Sequence, residues 1–102
     1  MALLEFSISP LGVGESVSQY VAKAVDVVDK SGLNYKLHAM GTEVEGDLDQ
    51  LLAVLKQAID AVAADCDRVS VVAKIDVRKG HPGAIDAKVQ SVEKKLGRTL
   101  KT

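Results

Sequence analysis

"NYKLHAMGTEVEGD", residues Asn34 to Asp47, decides the fold. Tyr35, Leu37 and Ala39 alternate with Asn34, Lys36, His38 and Met40, the period-two pattern of a half-buried strand. Gly41 reads as a turn, and Thr42 to Gly46 as a short strand coming straight back. Glu43 and Glu45 flank Val44 in that second strand, so one of its faces carries two carboxylates. Both the topology and the candidate function turn on what lies against that face.

Working outward, helical spacing appears on either side of the strand pair. Upstream, Val17, Tyr20, Val21, Ala24 and Val28 form one stripe over Ser16 to Lys30. Ser16 with Gln19 predicts a capping box, and Gly32 a C-terminal glycine cap. Downstream, Asp47 with Gln50 predicts the start of a helix with stripe Leu48, Leu51, Leu52, Leu55, Ile59 and Val62, which "ADCD" ends.

Further out lie two more strands. Ala2 to Ser9 places Leu4, Phe6 and Ile8 on one side and Leu3, Glu5, Ser7 and Ser9 on the other, until "PLGVG" breaks the pattern. "RVSVVAKIDVRKG" from Arg68 is the longest alternation, with Val69, Val71, Ala73, Ile75 and Val77 on one face. "HPG" is a loop, after which Ile85, Val89, Val92 and Leu96 mark a third helix stopped by Gly97, with a frayed tail. No linker, repeat or low-complexity segment interrupts residues 1–102, which read as a single domain.

The order β-α-β-β-α-β-α, with short connections and right-handed crossovers, predicts an α+β ferredoxin-like plait. It has a four-stranded antiparallel sheet in spatial order fourth, first, third, second, helices on one face, and an additional C-terminal helix. Assigning the apolar parity to the helices leaves the opposite face with Glu5, Ser7, Ser9, Asn34, Lys36, His38, Glu43, Glu45, Lys74, Asp76 and Arg78. Water could cover this mixed-charge face, its cross-strand ion pairs each contributing little. Alternatively a second subunit covers it and encloses a polar cleft in which a small ligand meets Ser7, Thr42, Glu43 and Glu45. Buried carboxylates need partners, and an amino-bearing or cationic ligand would supply one.

Composition narrows the function classes. The chain has 102 residues, 47% of them hydrophobic, and 13 basic against 14 acidic residues, a net charge of −1 with no basic stripe for nucleic acid. Only three residues are aromatic, Phe6, Tyr20 and Tyr35, and their positions do not match the base-stacking strands of an RNA-binding plait. The single Cys66 permits no intrachain disulfide, and its neighbours Asp65 and Asp67 disfavour a thiolate. No apolar run is long enough to span a bilayer, and "MALLEFSISP" has no basic segment before its apolar residues, so a cytoplasmic protein is expected.

Individual motifs exclude more than they assign. Gly12-Val13-Gly14 precedes a helix, whose N-terminus could receive an anion near Gly14 to Ser16, but Val17 stands where a dinucleotide fingerprint needs glycine. His38 and His81 lie on different elements without metal-ligand spacing and read as surface or cross-strand residues. The loop "SPLGVGES" has no basic residue for a phosphate loop, and C-x-x-C, serine-triad and P-loop patterns are absent. No catalytic residue, metal site or cofactor is expected.

"SISPLGVGESVSQYVA", "GLNYKLHAMGTEVEGDLDQLL", "RVSVVAKIDVRKG" and "KVQSVEKKL" together resemble the thiamine-binding protein family, a relative of the YkoF thiamine- and hydroxymethylpyrimidine-binding proteins. The most specific part is T-x-V-E-G, Thr42 to Gly46. The resemblance implies a ferredoxin-like fold, assembly into dimers or tetramers, and non-enzymatic binding of thiamine or its hydroxymethylpyrimidine precursor. It also implies Ser7, Thr42 and Glu45 as ligand contacts. A carboxylate accepts from an aminopyrimidine's exocyclic NH₂, and a hydroxyl serves either donor or acceptor. Two rivals stand beside this: an interaction module whose polar sheet face serves only subunit assembly, and an enzyme using Glu45 as general base.

Overall fold

The computed structural model describes every residue except Ser16, His81 and Pro82. Its elements run β1 (Ala2–Leu11), α1 (Ser18–Lys30), β2 (Asn34–His38), β3 (Gly41–Gly46), α2 (Leu48–Ala63), β4 (Arg68–Val77) and α3 (Ala84–Leu96). All strand pairs are antiparallel and the sheet order is β2-β3-β1-β4. This is the ferredoxin-like α+β fold with an added C-terminal helix. Among the described residues no helix is long and apolar enough to cross a membrane.

The core lies between one sheet face and α1 with α2. Leu4, Phe6 and Ile8 of β1 and Val44 of β3 are buried against Ala24 and Val28 of α1 and Leu51, Val54, Ala58 and Val62 of α2. The α2 stripe is rotated from the predicted one: Val54 and Ala58 face inward, while Leu48 and Leu52 turn out. Val54 and Ala58 are smaller than the leucines they displace, which suits a helix packed against both α1 and the sheet. The Asp47 N–H donates to Gln50 Oε1 at 3.0 Å, one half of the predicted capping box. The cap expected at Ser16 falls outside the described residues; the first turn of α1 follows Val17.

Three strand details differ from the sequence expectation. β1 continues through Pro10 to Leu11, paired with β4 throughout, although its pairing with β3 ends at Phe6–Thr42. Pro10, lacking an N–H, thus sits where β1 has no β3 neighbour. The hairpin turn is Ala39–Met40, and Gly41 is the first residue of β3, paired with His38. Gly41 is a packing requirement: a Cβ there would lie 3.0 Å from the Phe6 carbonyl oxygen. On β4, Val69 and Val71 are half-buried, but Ala73, Ile75 and Val77 are exposed because the helical layer does not reach that end of the edge strand.

The larger correction concerns α3. The expectation of helices on one face fails, because α3 lies across the polar face. Its buried Ile85 sits against β3, and Lys36–Asp86 (3.0 Å) and Lys88–Asp76 (2.5 Å) tie it to β2 and β4. The carboxylate-bearing face is therefore covered at one end by the chain itself.

Candidate functional site

Glu45 has an internal role. It is 8% exposed; Oε1 accepts from Asn34 Nδ2 at 2.5 Å and Oε2 accepts from the Ile85 backbone N–H at 3.2 Å. Ile85 is the second residue of α3, so the carboxylate stands at the positive end of the helix and satisfies one of its free N–H groups. Gly83 precedes the helix and has no side chain to cap it. Glu45 supplies from the sheet what the helix lacks locally.

Glu43 faces the same side one pair further along the ladder. His38 Nε2 lies 3.4 Å from its Oε2, and directly opposite across the sheet are Glu5 on β1 and Lys36 on β2. With Glu5, Lys74, Asp76 and Lys88 it lines an open mixed-charge depression of about 500 Å³. The Lys88 ammonium, by hydrogen bond and then by charge, holds the Asp76 carboxyl below its ordinary range. Three acids face two lysines in this depression: Glu5 lies opposite Lys74 and Asp76 pairs with Lys88, while Glu43 has His38 and Lys36 beside it.

Thr42 belongs to the other face. It follows the Val44 parity, is buried at 4% exposure, and pairs with Phe6. Here the sheet has a notch. β1 runs on past Phe6, whereas β3 begins at Gly41, so among the described residues the β3-side edge of Ser7 to Ser9 has no strand partner. The notch opens into a partly enclosed cavity of about 280 Å³. Phe6 and Ile8 form its floor, Val21 and Val25 of α1 one wall, and Leu37 with the Ala39–Met40 turn the other; Thr42 enters it from the helical face, while Ser7 and His38, of the opposite strand parity, border it at the open strand ends.

The four predicted contacts are thus divided. Ser7 and Thr42 both border the notch cavity, from opposite strand parities, Glu43 reaches its rim only through His38, and Glu45 lies beneath α3. The α1 wall was missed from sequence because Val21 reads as an ordinary member of the α1 stripe and Val25 lies outside that stripe. The available signal was length: the β1 alternation is longer than Thr42 to Gly46 can pair. The anion expectation near Gly14 to Ser16 depends partly on Ser16, and the surface assignment of His81 wholly on His81; both lie outside the described residues. Cys66 is half-buried, with its Sγ donating to the Val62 carbonyl at 3.3 Å.

Comparison with known proteins agrees with the fold. The chain is 46% identical over 95 residues to UPF0045 protein Mb1933 of Mycobacterium bovis, spanning 92% of this chain and 93% of that protein. It is 47% identical over 88 residues to UPF0045 protein MJ1052 of Methanocaldococcus jannaschii, spanning 86% and 88%. The crystal structure of MJ1052 superposes with a TM-score of 0.83, covering 89% of this chain and 94% of that one at 45% identity. A domain of unknown function, DUF77, from Bacillus cereus gives 0.79 at 37% identity, covering 88% of each. Residues 4–93 match the sequence profile of the thiamine-binding protein family, and the chain belongs to that family.

Proposed function

We propose that this protein binds thiamine or its hydroxymethylpyrimidine precursor, without chemical conversion, as a cytoplasmic homo-oligomer, and that the pyrimidine occupies the notch cavity. The observation that carries this is Thr42 and the open β1 edge at Ser7 to Ser9 bordering one apolar cavity, in a member of the thiamine-binding family. Phe6, Ile8, Val21 and Val25 supply apolar surfaces for the two faces of a flat ring. The open edge of β1 supplies backbone N–H and C=O groups, the alternating donors and acceptors that an aminopyrimidine edge requires.

Size favours the pyrimidine over the whole vitamin. A cavity of about 280 Å³ lies at the lower end of small-molecule sites, which start near ~300 Å³. Thiamine would then leave its thiazolium at the rim, where Glu43 stands behind His38 and its carboxylate favours the cation. Glu45 would act indirectly, by fixing β3 and α3.

Calorimetric titration with thiamine and with hydroxymethylpyrimidine tests the proposal. Thr42→Val keeps the shape and removes the hydroxyl, so affinity should fall about tenfold, the equivalent of one hydrogen bond at ~1–1.5 kcal/mol. Heat from neither ligand would remove the binding assignment and leave the interaction-module alternative. Product in long incubations, abolished by Glu45→Gln, would instead support the enzyme.

A further inference from the structure

Among the described residues, His38 is the titratable side chain that borders the notch cavity; the rest of the lining is apolar, hydroxyl-bearing or glycine. His38 ends β2, and its ladder partner Gly41 has no side chain, so the imidazole can lean along the sheet toward β3. There it meets Glu43, with Nε2 3.4 Å from Oε2. The imidazole is 48% exposed and the carboxylate 29%, so neither is locked in the contact.

The surrounding charges are engaged elsewhere. Lys36 on β2 and Glu5 on β1 lie opposite Glu43, and Lys74 on β4 lies opposite Glu5. Lys36 is held at 3.0 Å by Asp86 of α3. α1 presents the uncharged Val21 and Val25 to the cavity, while its Asp26 pairs with Lys30 at 2.8 Å and its Asp29 accepts from the Tyr35 phenol at 2.7 Å. Among the described residues, Glu43 is the carboxylate within ion-pair distance of the imidazole.

Protonation changes what this pair offers a ligand. With a neutral imidazole, Glu43 presents its full negative charge at the mouth of the cavity. An imidazolium neutralises that charge and adds a positive one beside it. A ligand whose pyrimidine fills the cavity and whose cationic ring stays at the rim must compete with the imidazolium for Glu43.

We propose that His38 is the residue by which this site distinguishes cationic from uncharged ligands, and that thiamine binds in exchange for the His38 proton, which passes to solvent. The exchange rests on the ligand placement given above. Linkage makes it reciprocal: the factor by which the His38 proton weakens thiamine is the factor by which thiamine weakens the hold of the imidazole on that proton. Thiamine affinity is therefore lowest where the imidazole is charged, rises with pH as the proton is lost, and levels off once it is gone. Because both groups are partly solvated, the change is about three- to fivefold, the strength of a good exposed ion pair.

Calorimetry of thiamine binding in buffers of low and high ionisation enthalpy counts the protons released. Subtracting the count for His38→Gln, a substitution at a half-exposed position, cancels protons exchanged by the aminopyrimidine of the ligand. Where the imidazole is half protonated in the free protein, a fourfold coupling gives a difference of about 0.3 proton per site, falling toward zero at higher pH. The affinity ratio between about pH 8 and about pH 5.5, which bracket the range where histidine ordinarily titrates, should be three- to fivefold larger in wild type than in His38→Gln. In the wild-type protein, thiamine should also move the His38 ring resonances toward their neutral-form positions. Equal proton counts in the two proteins, or His38 resonances that thiamine does not move, would overturn the exchange and leave the binding assignment standing. Heat from neither thiamine nor hydroxymethylpyrimidine at any pH would remove the binding assignment and the exchange with it.

Discussion

Replacing Glu45 with alanine removes two acceptors at once, and the structure fixes where the effect must appear. The Ile85 N–H, held 3.2 Å from Oε2, belongs to a residue only 3% exposed and would lose its partner. An orphaned buried donor costs about 1–3 kcal/mol, and the lost interaction between a carboxylate and a helix N-terminus adds ~0.3–1 kcal/mol. The Asn34 amide is on an exposed residue and can turn to water, so its share is small. The expected loss is therefore about 1.5–4 kcal/mol, with Glu45→Gln nearer the lower value because its amide oxygen still accepts. Urea unfolding measures the total, and hydrogen exchange shows its location. Protection should fall first at the α3 amides from Ala87 onward, while Val54 and Ala58 in α2 keep theirs until global unfolding. A loss below about 0.5 kcal/mol, or unchanged α3 protection, would refute the capping role.

Other perturbations test separate links. Gly41→Ala forces a Cβ against the Phe6 carbonyl oxygen at 3.0 Å and should cost about 1–3 kcal/mol in thermal or urea unfolding, while weakening any ligand in the adjoining cavity. Leu51→Ala, at a fully buried position, should cost about 2–5 kcal/mol in the same assay. The Tyr35 phenol donates to Asp29 at 2.7 Å, and that hydrogen bond chiefly, then burial and the Asp29 charge, raises its pKa. The associated stability is complete below the ordinary tyrosine value near 10 and lost as pH rises through the folded value; Tyr35→Phe should abolish this alkaline dependence in unfolding measurements. For Asp76 the sign is opposite. Its lowered pKa gives stability present above the ordinary carboxylate range and lost as pH falls through the folded value, and Lys88→Ala should bring the carbon-detected titration of Asp76 back up.

What could be read from the sequence follows how local each determinant is. The alternation of Leu4, Phe6 and Ile8, the Asp47–Gln50 start of α2 and the Gly97 stop of α3 are encoded within a few residues, and the structure has all of them. The position of α3 is encoded at long range. Its anchor is a hydrogen bond between residues forty positions apart, and its stripe of Ile85, Val89, Val92 and Leu96 fits either sheet face equally well. The candidate site divided for the same reason. Thr42 lies within a motif whose other polar residues, Glu43 and Glu45, face the opposite side, and strand parity alone separates it from them. Thr42 and Ser7 border one cavity only because β1 runs on past the start of β3, a difference visible only once the register is known.

The paired carboxylates of β3 have separate tasks because their neighbours differ. Both project from the same face, two residues apart, yet Glu45 meets a helix end and an amide while Glu43 meets His38 and Lys36 across the ladder. An acid that accepts a buried helix N–H cannot easily be withdrawn to serve a ligand, since the N–H would be left unpaired. An acid paired with a half-exposed histidine at a cavity rim can exchange partners at little cost, because water already solvates the imidazole. If a cation approaches this end of the sheet, Glu43 should therefore respond and Glu45 should not. Glu43→Gln should weaken thiamine more than hydroxymethylpyrimidine, which lacks the thiazolium charge, while leaving α3 protection intact. Equal weakening of both ligands would place Glu43 against the pyrimidine, and loss of α3 protection would mean that the two carboxylates act as one unit.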